Sequence, residues 1–363
     1  MLYLISLLSF LLPTQLSYHL TSFSQSVYGF NIDYLTPAIY LTDIVVFVII
    51  FLGRKNLKPT KKQLILVLGY LSFAAINIFI SSYKIASLYK WIKITELILL
   101  GLVIIKNKKF DIFKNFVKPL SYSVAVTCLL GIAQFLNKGS IGGIFYWLGE
   151  RNFIFNDPNI APYPYATFSH PNSFAGFLLV FSLFLLQYKK KFNVKYFWSL
   201  VILVSTNLVL TNSLNVYIAI AVLLFLKIRG SFALGFLSFD LGQRFITHRI
   251  ELINASLKLI KESFLLGVGL NNFIPNLVKV SNTFVNSWEL QPVHNIFLLI
   301  FSETGIIGIS AFLYLVLVPA LLTNLSLIAI LITGLSDHYW ITLQQNMLLL
   351  TFVLALSKIR GKR

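Results

Sequence analysis

His294 has the residue type and the setting of a general base. It follows Pro292, a residue favoured in the first turn of a helix, and it precedes a long apolar run. We therefore expect His294 in the first turn of that helix, where the partial positive charge of the N-terminus favours the neutral imidazole over the imidazolium. A neutral imidazole can accept a proton, as general base catalysis requires. The alternative is that His294 is a hydrogen-bonding anchor at the helix entrance.

Arg249 is the second candidate, because its position is costly for a charge. The pattern of residues 248–264 predicts an amphipathic helix, and Arg249 falls on the apolar face with Ile253 and Ile260. A cation there is unfavourable unless it binds an anion or a carboxylate. A guanidinium is well suited to a phosphate, so we expect Arg249 to hold a charged substrate, with Arg244 nearby. Alternatively, Arg249 snorkels from the helix end to water.

Other polar residues form a group of predicted substrate contacts. Asp337 and His338 are adjacent, and either could orient an imidazole or bind sugar hydroxyls. His170 precedes an apolar run and either contacts substrate or caps the helix that follows. The complete set of predicted substrate contacts is Arg244, Arg151, His170, Asn295, Asp337 and His338. Lys93 and Glu96 are three residues apart and are expected to form an ion pair, with Asp43 either paired or protonated.

Four motifs typical of metal, nucleotide or serine-hydrolase sites are missing from the sequence. It contains no D-x-D pair, no HExxH, no GxxxxGK[ST] and no GxSxG. The single Cys128 cannot form an intrachain disulfide or a thiolate metal site. We therefore expect no metal and no cofactor, and a transferase would stabilise its leaving group with arginine.

The composition predicts that these residues are positioned by membrane helices. Of the 363 residues, 57% are hydrophobic and only 12% are charged, whereas soluble domains carry about 25% charged residues. This excludes a nucleic-acid-binding domain, a disordered chain and a secreted disulfide scaffold. We predict one integral-membrane domain over 1–363, an all-α polytopic bundle of about 11–12 spans with the amphipathic helix in an extracytoplasmic loop region. The predicted spans are 2–20, 35–53, 63–80, 87–105, 115–136, 172–187, 196–212, 214–226, 294–318, 320–335 and 344–357.

The distribution of basic residues predicts which loops face the cytoplasm. Twenty of the 30 Lys and Arg residues occur in five short segments, together with one acid, and Lys/Arg-rich short loops stay cytoplasmic. These segments are 54–62, 106–118, 189–195, 227–229 and 358–363. The loops 137–170 and 240–293 are then extracytoplasmic. Only 14 residues separate Arg229 from Arg244, too few for an ordinary crossing, so the topology of 227–244 and 318–336 stays open.

Three blocks occur in an order that resembles the O-antigen ligase / O-antigen polymerase superfamily. They are RIEL at 249–252, LLGVGLNNF at 265–273, and HNIFL with ETGIIG within 294–308. TFSHPNSFAG at 167–176 and DHYWITLQQ at 337–345 look similar as well. The sharpest part of the resemblance is 244–308.

The resemblance implies a multi-pass enzyme of the bacterial cytoplasmic membrane with an extracytoplasmic active site. Its donor would be a glycan on a polyprenyl diphosphate, undecaprenyl diphosphate being expected, and an acceptor hydroxyl would displace the diphosphate without a metal. The acceptor could be a glycan, a glycolipid or a protein. His294 matches the histidine proposed to activate the acceptor, and Arg249 matches the arginine thought to hold the diphosphate.

The sequence departs from the family pattern at Leu214, where many members carry an arginine. If a second arginine is needed, Arg244 or Arg151 would supply it. Two readings without chemistry remain: a transporter or flippase of lipid-linked glycans, and a non-catalytic scaffold that binds polyprenyl lipids. No internal repeat of the kind common in transporters is evident, which favours the transferase.

Overall fold

The computed structural model describes residues 1–154, 162–228, 243–281, 283–284, 286, 289–321 and 324–360, apart from the side chains of 226–228, 243–246, 320–321 and 360. The fold is mostly helical, with a few short strands. The α-helices are α1 Leu2–Leu11, α2 Leu41–Gly53, α3 Lys61–Ile80, α4 Lys84–Lys106, α5 Lys118–Asn137, α6 Pro171–Gln187, α7 Val194–Leu210, α8 Leu214–Ile228, α9 Gln243–Glu262, α10 Phe273–Val280, α11 Ile296–Leu321, α12 Leu325–Gly334, α13 Tyr339–Thr342 and α14 Gln344–Arg360. A π-helical turn, Phe113–Val117, leads into α5.

Each predicted span overlaps one of these helices. Within the described residues, three helices are long and apolar enough to cross a membrane: Lys61–Ile80, Phe113–Asn137 and Ile296–Pro319. Five further apolar helices are 10–17 residues long, and the rest of the predicted spans stay a prediction. Helix α3 is one of the three, and only 11% of its most apolar window is buried, so most of its apolar surface faces outward.

The first predicted span, 2–20, is wrong beyond Leu11. Pro13 comes two residues after the end of α1, and proline lacks the N–H that a continuing helix would need there. The chain then forms strand β1, Ser17–His19, antiparallel to β4, Ala38–Tyr40. A second short pair joins β2, Ser26–Val27, to β3, Phe30–Asn31, so the region before α2 is not helical as the all-α prediction required.

Helices α6 and α14 lie in the main hydrophobic core. Phe174, Phe177 and Phe181 of α6 are at most 1% exposed. Phe352 of α14 stacks on Phe116 with ring centroids 4.6 Å apart. This packing fixes the N-terminal ends of both helices, and those ends carry polar side chains of the site described below.

Two glycine turns attach the amphipathic helix α9 to α11. Gly305, inside α11, has φ +63°, and a Cβ there would lie 2.3 Å from the backbone of Leu265. Gly267 has φ +69° and approaches the backbone of Glu303 equally closely. Both positions therefore require glycine. The amide of Val268 donates to Ser302 O (2.9 Å), so the blocks 265–273 and 294–308 interlock through their backbones.

The predicted amphipathic helix is confirmed, but only part of its apolar face is covered. Leu252 and Leu259 are buried and pack with α10 in a second hydrophobic cluster. Ile250 and Leu257, expected on the same face, are each 52% exposed. The helix thus presents one apolar strip to the protein and leaves another uncovered.

Candidate active site

A polar cavity of about 720 Å³ lies where several of these elements meet. Its wall includes parts of β1, the loop around residue 150, the start of α6, residues 290–294 and the turn before α14. Five of the predicted site residues line it: Arg151, His170, His294, Asp337 and His338. The cavity has the size of an ordinary ligand-binding pocket.

His294 and Asp337 form a pair of ionisable groups on the wall of this cavity. Nδ1 of His294 lies 3.5 Å from Oδ1 of Asp337, and Nε2 lies 3.1 Å from the side-chain oxygen of Gln291. The side chain of His294 is 17% exposed and that of Asp337 is 6% exposed. The carboxylate thus faces one ring nitrogen, and the other nitrogen contacts an amide that a substrate could replace.

The predicted position of His294 in the first helical turn is wrong by two residues. Helix α11 begins at Ile296, and Asn295 caps it by accepting from the amides of Phe297 (2.9 Å) and Leu298 (3.0 Å). The side chain of Asn295, and not the imidazole of His294, therefore interacts with the free amides at the N-terminus of this helix. The charged group that His294 contacts is therefore Asp337 rather than the helix N-terminus.

Asp337 is held in place by two hydrogen bonds. Its Oδ1 accepts from the amide of His338 (2.8 Å), and its Oδ2 accepts from Nδ2 of Asn172 at the start of α6 (3.1 Å). Burial by itself raises the pKa of Asp337, but His294, His338 and the other nearby histidine outweigh it and the pKa is lowered. The side chain is therefore a fixed, ionised carboxylate at neutral pH.

His338 forms part of the wall rather than a titrating group. Its Nδ1 lies 2.9 Å from Oγ1 of Thr342, and that hydroxyl donates to His338 O. Nδ1 therefore carries the proton. Burial, followed by the proximity of His294, lowers the pKa of His338 to about 3. The two imidazole rings have centroids 5.1 Å apart.

Arg249 reaches the same turn from α9. Its Nη1 donates to the backbone oxygen of Ser336 (3.1 Å), the residue before Asp337. Burial lowers the pKa of Arg249, and the charge of Asp337 counteracts this. Arg249 is not among the residues that line the cavity. The structure therefore brings Arg249 and His294 to adjacent residues of one turn, with only the histidine on the cavity wall.

Three other predicted contacts have local partners. His170 caps α6, because its Nδ1 accepts from the amide of Asn172 (3.1 Å). Arg151 donates from Nη1 to Ser169 O (3.1 Å) and lies at the cavity wall. Asn295, besides capping α11, donates from Nδ2 to Leu335 O (2.9 Å), so both ends of its amide have protein partners. The side chain of Arg244 lies outside the described residues.

The expected pairing in α4 is confirmed and extended. Lys93 contacts Glu96 at 3.2 Å and forms an ion pair with Asp43. Gln344 also donates to Asp43 (2.6 Å). Gln291 and Lys90 are among the cavity residues that the sequence analysis missed. Gln291, three residues before His294, gave no signal, and Lys90 could have been noticed because a lysine within a predicted span is rare.

His294, Asp337 and His338 could in principle hold a cation, because one ligand atom from each lies within 4.8 Å of the others. Nδ1 of His338 donates to Thr342, so Nε2 would be the ligand atom of that ring. The guanidinium of Arg249 contacts the adjacent backbone and opposes a further positive charge. A cation bound by these three residues would therefore be repelled by Arg249.

Taken together, the apolar helical fold and the polar cavity with its histidine–carboxylate pair fit a membrane protein with a group able to accept a proton. The O-antigen ligase family model matches residues 165–313, a range that contains His170, Arg249 and His294. This match supports a relation of the chain to the O-antigen ligase/polymerase superfamily, whose members are glycosyl-transferring enzymes of bacterial membranes. Asp337 and His338 lie outside the matched range. No curated protein matches the chain.

Proposed function

We propose that the protein transfers a glycan from an undecaprenyl diphosphate carrier to an acceptor hydroxyl, without a metal ion. The observation that carries this proposal is the 3.5 Å contact between His294 and the fixed carboxylate of Asp337 in a cavity large enough for a sugar substrate. The family match supports a lipid-linked glycan as donor in general terms. The single domain 1–363 is proposed to span the cytoplasmic membrane many times, with this cavity at its extracytoplasmic face.

In this mechanism His294 is the general base. The ionised Asp337 favours a proton on Nδ1, which leaves Nε2 to accept one. Nε2 now faces the side-chain amide of Gln291. Rotation of that amide by 180° exchanges its oxygen for its NH₂ group, which can donate a hydrogen bond to an unprotonated Nε2. An acceptor hydroxyl that takes the place of Gln291 would donate its proton to Nε2, and Asp337 would stabilise the resulting imidazolium.

The bond changes balance without an added reactant. The acceptor oxygen forms a bond to the anomeric carbon while the bond from that carbon to the diphosphate oxygen breaks. The proton goes to His294, and the polyprenyl diphosphate leaves with the bonding electrons. We propose that Arg249, fixed to Ser336 beside Asp337, stabilises the negative charge of the leaving group. Arg244 and Arg151 are proposed as further contacts of the donor, because this chain has Leu214 at the position where many family members carry a second arginine.

The experiment measures turnover of polyprenyl-diphosphate-linked glycan by purified protein in lipid nanodiscs. His294→Ala should lower kcat by at least about 100-fold, because a positioned general base contributes roughly 10²–10⁴-fold. The matched control is His19→Ala, which removes another imidazole from the same cavity. Arg249→Lys should also lose most activity, because an ammonium cannot keep the contact with Ser336 O and still present further N–H groups in the planar geometry of a guanidinium.

Product analysis and a chelator complete the test. A ladder of repeat units indicates a polymerase, and one transfer to a glycolipid or protein indicates a ligase. Unchanged turnover after treatment with EDTA is expected. The proposal is wrong if His294→Ala turns over like the wild type, or if wild-type protein moves the lipid-linked glycan across a bilayer without forming a new glycosidic bond, as a flippase would.

A further inference from the structure

Lys90 is a cation on the cavity wall whose role the mechanism does not explain. It lies in α4 and lines the same cavity as His294. Its Nζ lies 3.4 Å from the sulfur of Met347 in α14, and its side chain is partly buried. A thioether is only a weak hydrogen-bond acceptor and replaces little of the hydration that the ammonium loses.

The acids near Lys90 do not neutralise it by direct contact. Among the residues that the structure describes, the ion pairs within 4.0 Å involve Lys93 and His294, not Lys90. Glu303 and Lys93 influence the ammonium of Lys90 only from farther away. Glu303 has its own partner, since its Oε1 accepts from the amide of Phe273 (3.1 Å).

Lys93, one helical turn further along α4, shows the contrast. Its ammonium contacts both Asp43 and Glu96, so two carboxylates surround one cation. Lys93 is therefore satisfied within the protein by carboxylates in direct contact. Lys90 is the lysine of this helix that faces the cavity without a carboxylate in contact.

The depth of Lys90 also argues for a ligand. It lies six residues from the start of α4, about 9 Å along the helix axis at 1.5 Å per residue. A lysine inside a membrane-embedded helix is costly and usually marks a site of function. The start of α4 lies on the predicted extracytoplasmic side, so Lys90 is placed just below that surface, at a level that a lipid-linked phosphate can reach.

We propose that Lys90 binds a phosphate oxyanion in the cavity, supplied by the diphosphate of the lipid-linked donor. This rests on the proposed function, because it names a further donor-binding residue for the same site. Arg249 contacts the turn behind the cavity wall, whereas Lys90 lines the cavity itself. An ammonium with three donors can hold a phosphate as a point charge there.

The test measures binding without turnover, so that its outcome is independent of whether transfer occurs. Purified protein in nanodiscs of neutral lipid is titrated with undecaprenyl diphosphate. Lys90→Met, which removes the charge at similar volume, should weaken binding about 10- to 100-fold, the effect of losing one charge-assisted hydrogen bond. Lys90→Arg should retain binding within about 5-fold, because it keeps the charge.

The matched control is Lys84→Met, which removes an exposed lysine from the start of the same helix and should leave the affinity unchanged. Thermal unfolding of each variant reports folding, and Lys90→Met should be at least as stable as the wild type because it buries no charge. Undiminished affinity of a folded Lys90→Met for undecaprenyl diphosphate overturns the proposal.

Two further titrations distinguish the source of the phosphate. Inorganic pyrophosphate tests the anion without the lipid, and a loss of its binding in Lys90→Met as well supports recognition of the diphosphate itself. Nanodiscs containing phosphatidylglycerol test an ordinary lipid headgroup. If Lys90→Met loses only its preference for phosphatidylglycerol, Lys90 contacts bulk lipid and the assignment to the donor is wrong.

Discussion

Asp337→Asn separates the charge of the carboxylate from its shape. Oδ1 of Asp337 accepts from the His338 amide and also faces Nδ1 of His294, and asparagine can keep its oxygen at that position. Its NH₂ group then replaces Oδ2 and loses the hydrogen bond from Asn172. The neutral amide oxygen still faces the imidazole, but it stabilises an imidazolium less than a carboxylate does. The substitution should therefore weaken the base without removing the imidazole.

The size of the effect follows from the distance. Two unit charges separated by the observed 3.5 Å attract each other by about 5 kcal/mol at an effective dielectric constant of about 20. The imidazolium that forms in the transition state loses this attraction, although solvent and the neutral amide recover part of it. A net loss of about 3–4 kcal/mol corresponds to a decrease in kcat of roughly 10²–10³-fold.

The assay compares Asp337→Asn with Asp33→Asn, because Asp33 is an exposed acid that lines the same cavity. We expect kcat to fall in the first variant, with little change in the affinity for donor, and to stay within about 3-fold in the second. Thermal unfolding checks that both variants fold. The reasoning is refuted if Asp337→Asn keeps kcat within about 3-fold of the wild type, or if both variants lose activity equally.

Two further predictions concern stability. The folded protein keeps His338 neutral down to a pKa of about 3, whereas the unfolded chain takes up this proton near pH 6.5, so stability falls as the pH decreases between these values. The free energy of unfolding in detergent is measured at pH 7 and at pH 5.5, and His338→Gln should reduce the difference between the two values by about 1 kcal/mol. An unchanged difference would contradict the argument that burial keeps His338 neutral. Asn295→Ala should cost about 1 kcal/mol through loss of the cap of α11, and Asn295→Asp, which can still cap, should cost less. Equal stability of all three proteins, with weakened donor binding in Asn295→Ala, would instead support the substrate contact expected from the sequence.

Local features of the fold followed from the sequence because they depend on neighbouring residues. The apolar run 87–105 predicted α4, which extends over Lys84–Lys106. The three-residue spacing of Lys93 and Glu96 predicted their ion pair, because residues so spaced share one helix face. Where local signals competed, the prediction was wrong: Pro13 ended α1 early, and Asn295 rather than the proline marked the start of α11.

The sequence alone determined that the chain is apolar and helical, that His294 stands at a helix entrance and that its surroundings resemble the O-antigen ligase family. Only the tertiary structure decided which groups His294 meets. Asp337 lies 43 residues after His294 in the sequence. It is held by Asn172, which lies 165 residues before Asp337. Such contacts depend on how helices are rotated and packed against one another, and here the glycine turns at Gly267 and Gly305 fix α9 against α11. Spacing along the chain carries no record of that packing, so the partner of the imidazole could be recognised only once the helices were in place.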